Sequence, residues 1–173
     1  MAVKIIGAVL VILSGWGLGN DAALRWRGRL ALLENVRRMI YLLKGEIVYA
    51  NSTLQEALER VGRRDGGEMG ELFVLAAGDI LEGGGESFSD IWARRVDGLS
   101  KKCFLNGGDR EGLKELGANL GFLDTGMQER VLLLYLERLD GEIVSLKGEV
   151  RERCRLYTGL GLMAGLFLAV VMV

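Results

Sequence analysis

Two kinds of residue pattern in this 173-residue chain invite a chemical reading: glycine-rich strings and pairs of acidic residues. "GLGLMAG", Gly159 to Gly165, looks like a dinucleotide fingerprint. Its spacing is wrong, however, no strand pattern precedes it, and it lies in an apolar stretch. No G-x-x-x-x-G-K-[ST] string occurs, so ATP binding and hydrolysis have no cradle. The chain has no His, which removes the commonest general base, the Ser-His and Cys-His pairs, and the Glu-x-x-His pairs of a helical di-iron site. Cys103 and Cys154 lie far apart in no metal-ligand spacing, and read as two free thiols in a reducing compartment. Glu34 with Arg38, and Glu142 near Lys147, read as solvated helix faces. Trp92 and Tyr135 read as core or interface packing, with no basic stripe for base stacking. These patterns point to no enzyme, no cofactor and no metal. With 22 Lys and Arg against 23 Asp and Glu, a net charge of −1, no basic field is present to hold nucleic acid.

The spacing that remains belongs to helix packing. Gly161, Gly165 and Ala169 form a small-xxx-small-xxx-small face near the C-terminal end, and Gly15 with Gly19 repeats it near the N-terminal end. Such faces let membrane helices approach closely, either within one chain or between protomers of a homo-oligomer. Gly117 and Gly121 share the spacing and are expected to seat a helix tightly on its neighbour.

The elements that carry these residues follow from hydropathy and period. Leu156 to Val173 is 18 residues without a charge, about 27 Å of helix against a hydrocarbon core of about 30 Å. Ile5 to Gly19 is shorter, with Lys4 able to snorkel, and reads as a retained anchor in preference to a cleaved signal peptide. Arg25, Arg27 and Arg29 follow the first stretch, and Lys147, Arg151, Arg153 and Arg155 precede the second. The positive-inside rule then makes the middle cytoplasmic and puts both termini outside. The expected domains are an N-terminal transmembrane anchor (1–20), a cytoplasmic six-helix domain (21–155) and a C-terminal transmembrane anchor (156–173).

An all-α class follows from the absence of Pro, where average usage would give roughly nine. Leu33, Val36, Ile40, Leu43, Ile47 and Ala50 recur at helical spacing over about 21–50. Ser52 with Gln55 predicts a capping box that starts a second helix near Thr53. A third is expected over about 68–81, ended by "EGGGES". Ser87 with Asp90 starts a fourth, which "LNGGD" breaks near Asn106, and a fifth holds "LKELGANLG". Thr125 with Gln128 predicts another capping box, with Asp124 available to the same amides. The sixth carries Leu132, Leu136, Leu139, Ile143, Leu146 and Val150 in a heptad seam and meets no breaker before the last apolar stretch. Short turns imply antiparallel neighbours, and an even helix count returns the chain to the side it left.

Three stretches, "LKGEIVYANSTLQEAL", "ELGANLGFLDTGMQERVLLLYLERL" and "YTGLGLMAGLFLAVVMV", resemble the stage III sporulation protein AB family of endospore-forming bacteria. The resemblance covers essentially the whole chain. Leu116, Gly117, Leu120, Gly121, Asp124 and Gln128 carry its most specific part; Glu46, Ile47, Tyr49, Leu54, Glu56 and Ala57 carry another. Thr53 stands where the family often has Pro, a difference a Ser52 cap can absorb. The resemblance implies a cytoplasmic part similar to the six-helix domains of the inner-membrane F component of type II secretion and type IV pilus machines. It also implies a non-enzymatic platform in the mother-cell membrane around the forespore. The implied partners are a cytoplasmic hexameric ATPase (stage III sporulation protein AA), other stage III sporulation complex proteins and membrane lipid. Glu46, Tyr49, Leu54, Glu56, Ala57, Gly117, Gly121, Asp124 and Gln128 are then the motif positions that could touch a partner. For Asp124 and Gln128 a helix cap that fixes the last turn is the competing role. An alternative function, a small oligomeric channel or transporter working through its two spans, is disfavoured by the lack of ionisable groups in either apolar stretch.

Overall fold

The structure, a computed structural model, describes the backbone of residues 2–100, 103–121 and 124–172, and the side chains of 24–100, 103–121, 124–152 and 163. Six helices and no strand occur among these residues. They are α1 (Ala2–Val48), α2 (Leu54–Asp65), α3 (Gly67–Glu82), α4 (Phe88–Asp97), α5 (Gly107–Leu120) and α6 (Thr125–Met172). The first apolar stretch and the first predicted helix are thus one continuous helix, as are the sixth helix and the last stretch. Among the described residues no helix is long and apolar enough to cross a membrane. Residues 5–19 and 156–173, Met163 apart, lie outside the described side chains, and with them the expected packing positions Gly15, Gly19, Gly161, Gly165 and Ala169.

The chain divides into two compact units, with boundaries inside α1 and α6: a terminal unit of residues 1–31 and 143–173, and a central unit of residues 32–142. In the central unit the α1 stripe of Leu33, Val36, Met39, Ile40, Leu43 and Ile47 is buried throughout. Ala50, the last predicted member, is exposed, because α1 stops at Val48 and the amides of Tyr49 and Ala50 both turn back to the Gly45 carbonyl. Asn51 then takes φ 51°, the left-handed region that Asn tolerates. The α6 seam is buried at all six predicted positions, Leu132, Leu136 and Leu139 in the central unit and Ile143, Leu146 and Val150 in the terminal one.

Polar ties give the relative direction of the helices within the central unit. Asn35 and Arg38 reach Asp65 while Glu46 meets Arg60, so α1 and α2 run antiparallel. Arg37 pairs with Asp140 and Lys44 with Glu129, so α6 returns antiparallel to α1. On α5 and α6, Glu115 pairs with Arg138 and the Leu120 carbonyl accepts from Gln128. The chain therefore enters by α1 and leaves by α6 at the same end of this unit.

Two predicted caps shift by one residue. Thr53, not Ser52, accepts from the Glu56 amide at 3.3 Å, and Glu56 accepts from the Thr53 amide at 3.1 Å. Ser52 is occupied elsewhere, donating to Glu46 and accepting from Arg60. At α6, Asp124 accepts from the Met127 amide at 2.8 Å. Gln128 makes no capping box with Thr125, because its amide side chain donates to the end of α5 instead. The fourth helix ends at Asp97, well before Asn106, which caps α5 in a box with Asp109. After this early stop the Arg110 guanidinium donates to the carbonyls of Val96, Leu99 and Ser100.

Close approach decides the rest. A Cβ on Gly117 would lie 2.5 Å from Trp92 Cγ, and one on Gly121 3.1 Å from Phe88 Cβ; these two glycines seat α5 on α4, as their spacing predicts. Gly62 and Gly70 do the same for α2 and α3, where an added Cβ on either would stand 2.6 Å from the other's carbonyl oxygen. Gly66 (φ 67°) and Gly67 (φ 63°) make the turn between them, a conformation that needs no Cβ. Gly117→Ala is expected to lower stability by about 1–3 kcal/mol through overpacking. Gly78→Ala, in the α3 interior with nothing within 4 Å of an added Cβ, is expected to raise it by about 0.5–1 kcal/mol. Chemical unfolding midpoints of the two variants check the opposite signs.

Candidate interaction surface

At the end of the central unit opposite the chain's entry and exit lie the α1–α2 turn, the α3–α4 loop and the α5–α6 turn. A groove of about 500 Å³ opens there. Its apolar floor includes Leu54, Ile80, Phe88 and Ile91, and its rim includes Gln55, Glu82, Glu86 and Arg94. Phe88 is held from below by Trp92, with ring centroids 5.7 Å apart. Gly121 lines the same groove because its lack of a side chain lets α5 close against Phe88. The loop Gly83–Ser87 borders the opening: Gly83 ends α3 in the left-handed conformation (φ 63°) and Ser87 starts α4 by accepting from the Asp90 amide.

One wall is fixed electrostatically. Asp79 accepts from Arg95 through both oxygens, at 2.5 and 2.7 Å, and from Arg94 at 3.3 Å. Arg94 in turn grips Glu86 at 2.6 and 2.8 Å. These hydrogen bonds, that of Arg95 first, hold the Asp79 carboxyl below its ordinary 3.8 against the opposing effect of burial. The Arg94 and Arg95 guanidinium groups are pushed up, mainly by Glu86 and by Asp79 respectively.

The motif residues separate into several roles. Leu54 and Gly121, far apart in sequence, meet at the groove. Tyr49 is 79% exposed, with Lys44 Nζ 5.9 Å from its ring and equally far from that of Tyr41. Glu56 and Asp124 cap helices, Gln128 ties α6 to α5, Glu46 binds Arg60 and Ser52, Ala57 is in the core, and Gly117 lies under Trp92. Sequence reasoning missed Ile80, Glu82, Glu86 and Arg94; the acid-flanked glycine triplet in "LEGGGES" was the one signal pointing there.

No catalytic constellation is assembled among the described residues. Among the described residues no group of three His, Cys, Asp or Glu could hold a metal ion. Cys103 is a buried free thiol, and burial pushes it above its ordinary 9.0, so little reactive thiolate exists at neutral pH. Burial likewise raises the Tyr135 phenol, in keeping with a packing role. Cys154 lies outside the described side chains.

The chain matches the family described as stage III sporulation protein AB over residues 4–173. It belongs to that family. Stage III sporulation protein AB of Bacillus subtilis (strain 168) is 24% identical over 169 residues, covering 98% of each chain. No solved structure matches. Membership confirms the resemblance read in the sequence and gives the groove a setting in sporulation.

Because the folded-state pKa of Asp79 is depressed, its stabilising contribution is present above 3.8 and is lost as pH falls through the lower folded value. Asp79→Asn is expected to cost about 1–2 kcal/mol at neutral pH. The difference from the parent chain should shrink below pH 3.8. Denaturant midpoints of both proteins across that range read the effect.

Proposed function

We propose that this stage III sporulation AB family member is a non-enzymatic membrane platform of a secretion-like sporulation channel complex. It couples a cytoplasmic hexameric ATPase (stage III sporulation protein AA) to envelope assembly between mother cell and forespore. Two spans hold it in the mother-cell membrane around the forespore, with the central domain cytoplasmic and both termini outside. The observation that carries the reading is the groove: two sequence-distant motif positions, Leu54 and Gly121, line one partly apolar, polar-rimmed opening. It lies at the end of the central unit opposite the one where the chain enters and leaves that unit. An apolar floor with a charged rim is the anatomy of a protein-docking surface, and Tyr49, exposed in the α1–α2 turn at the same end of the unit, is a residue type enriched among binding hot spots.

The test is binding of the full chain, held in a lipid nanodisc, to the purified sporulation ATPase with and without nucleotide. Tyr49→Ala and the double variant Gln55→Lys/Glu82→Lys are each expected to weaken binding by about tenfold or more, roughly 1.4 kcal/mol. Phe104→Ala, exposed and outside the groove, should leave it unchanged. Equal binding by all the variants would move the docking surface elsewhere, and no binding under any nucleotide condition would end the direct-coupling reading.

A further inference from the structure

The boundary between the two units is also a boundary in charge. Residues 1–31 and 143–173 carry eight Lys and Arg against three Asp and Glu, a net of +5. Residues 32–142 carry 14 against 20, a net of −6, which together make the −1 of the whole chain. A near-neutral protein is thus built from two strongly and oppositely charged units.

The positive charge is concentrated next to the apolar stretches. At 1.5 Å per residue, Arg25 and Arg29 stand about 9 and 15 Å along α1 from Gly19. Arg151 and Lys147 stand about 8 and 14 Å along α6 before Leu156. Arg25 and Arg29 are four apart and share a helix face, and Arg27 lies on the opposite one. Charge therefore surrounds α1 in place of forming a stripe on it. Arg25, Arg27, Lys147 and Arg151 are exposed; the three acidic residues of this unit are Asp21, Glu149 and Glu152. With the apolar stretches in a bilayer, these side chains fall in the headgroup layer or within about a Debye length, roughly 10 Å, of it.

We propose that this basic collar binds anionic phospholipid headgroups and selects an anionic lipid shell around the protein. The proposal rests on the membrane reading of the preceding subsection and adds a lipid preference to it. An anionic bilayer surface attracts the terminal unit and repels the acidic central one. The same field that holds the collar at the surface therefore disfavours adsorption of the central unit. Each Arg near an anionic surface adds to the attraction, and salt screens it.

The experiment reconstitutes the full chain in zwitterionic vesicles containing a trace of spin-labelled phosphatidylglycerol or spin-labelled phosphatidylcholine. Resistance to alkaline carbonate extraction is scored in parallel. The extraction-resistant chain is expected to immobilise the anionic label about fivefold more strongly than the zwitterionic one. High salt and the triple variant Arg25→Gln/Arg27→Gln/Arg151→Gln should remove the preference, and Arg63→Gln/Arg64→Gln in the central unit should not. A chain that resists extraction yet immobilises both labels equally overturns the lipid proposal and leaves the membrane reading standing. A chain that carbonate releases overturns both. A preference abolished by inorganic phosphate, but not by chloride at equal ionic strength, assigns the collar to free phosphate and overturns the lipid proposal.

Discussion

The contact of Gly117 with the face of Trp92 is the constraint on which the central unit is built. Trp92 is 1% exposed, and its indole N–H donates to the Leu113 carbonyl at 2.6 Å. A buried indole needs such a partner, and a helical carbonyl is reachable only where the helix backbone comes close. Gly117 permits that approach one turn further along α5. The ring then serves as a shared wall: Phe73 of α3 meets it edge-on at 5.3 Å and Phe88 of α4 at 5.7 Å. Three helices are located by one side chain, and Phe88 carries the consequence into the groove.

Around this apolar centre, polar ties fix directions and ends and add little to burial. Asp65, at the end of α2, accepts from Asn35 at 2.8 Å and pairs with Arg38, which holds α2 to α1. Arg110 ties together carbonyls at and after the end of α4, and Gln128 donates to one at the end of α5. Exposed ion pairs such as Arg63 with Glu59 contribute at most about 1 kcal/mol. The partly buried Asp79–Arg95 pair holds a groove wall and matters more for shape. Among the described residues every buried side-chain nitrogen or oxygen has a hydrogen-bond partner, as is usual in native cores.

On the proposed readings the molecule has two chemically different regions: a partly apolar groove lined by Leu54, Phe88 and Gly121, and a terminal unit rich in Lys and Arg. α1 and α6 are each continuous in sequence across the boundary between the two units, and neither contains a Pro to interrupt its hydrogen bonds.

Much of this was legible before the structure. The 3–4 spacing of Leu33 to Ile47 and of Leu132 to Val150 determined which helix faces are buried, because a helix can hide only one stripe. Gly117 and Gly121 announced a close contact by their spacing, though not that Trp92 and Phe88 supply it. Helix ends were harder. Ser52 and Thr53 are chemically interchangeable as caps, and only the placement of Arg60 and Glu46 gave the role to Thr53. Gln128 suits a capping box locally, but the open carbonyl of Leu120 claims it, a group eight residues away that packing brings near. The close approach of Gly62 to Gly70 was not readable, since eight residues spanning a turn obey no helical period. Local periodicity is written in neighbouring residues, and the sequence determined stripes, turns and charge by that means. Which carbonyl, ring or guanidinium stands opposite a given side chain depends on how the helices pack, and only the tertiary structure decided it.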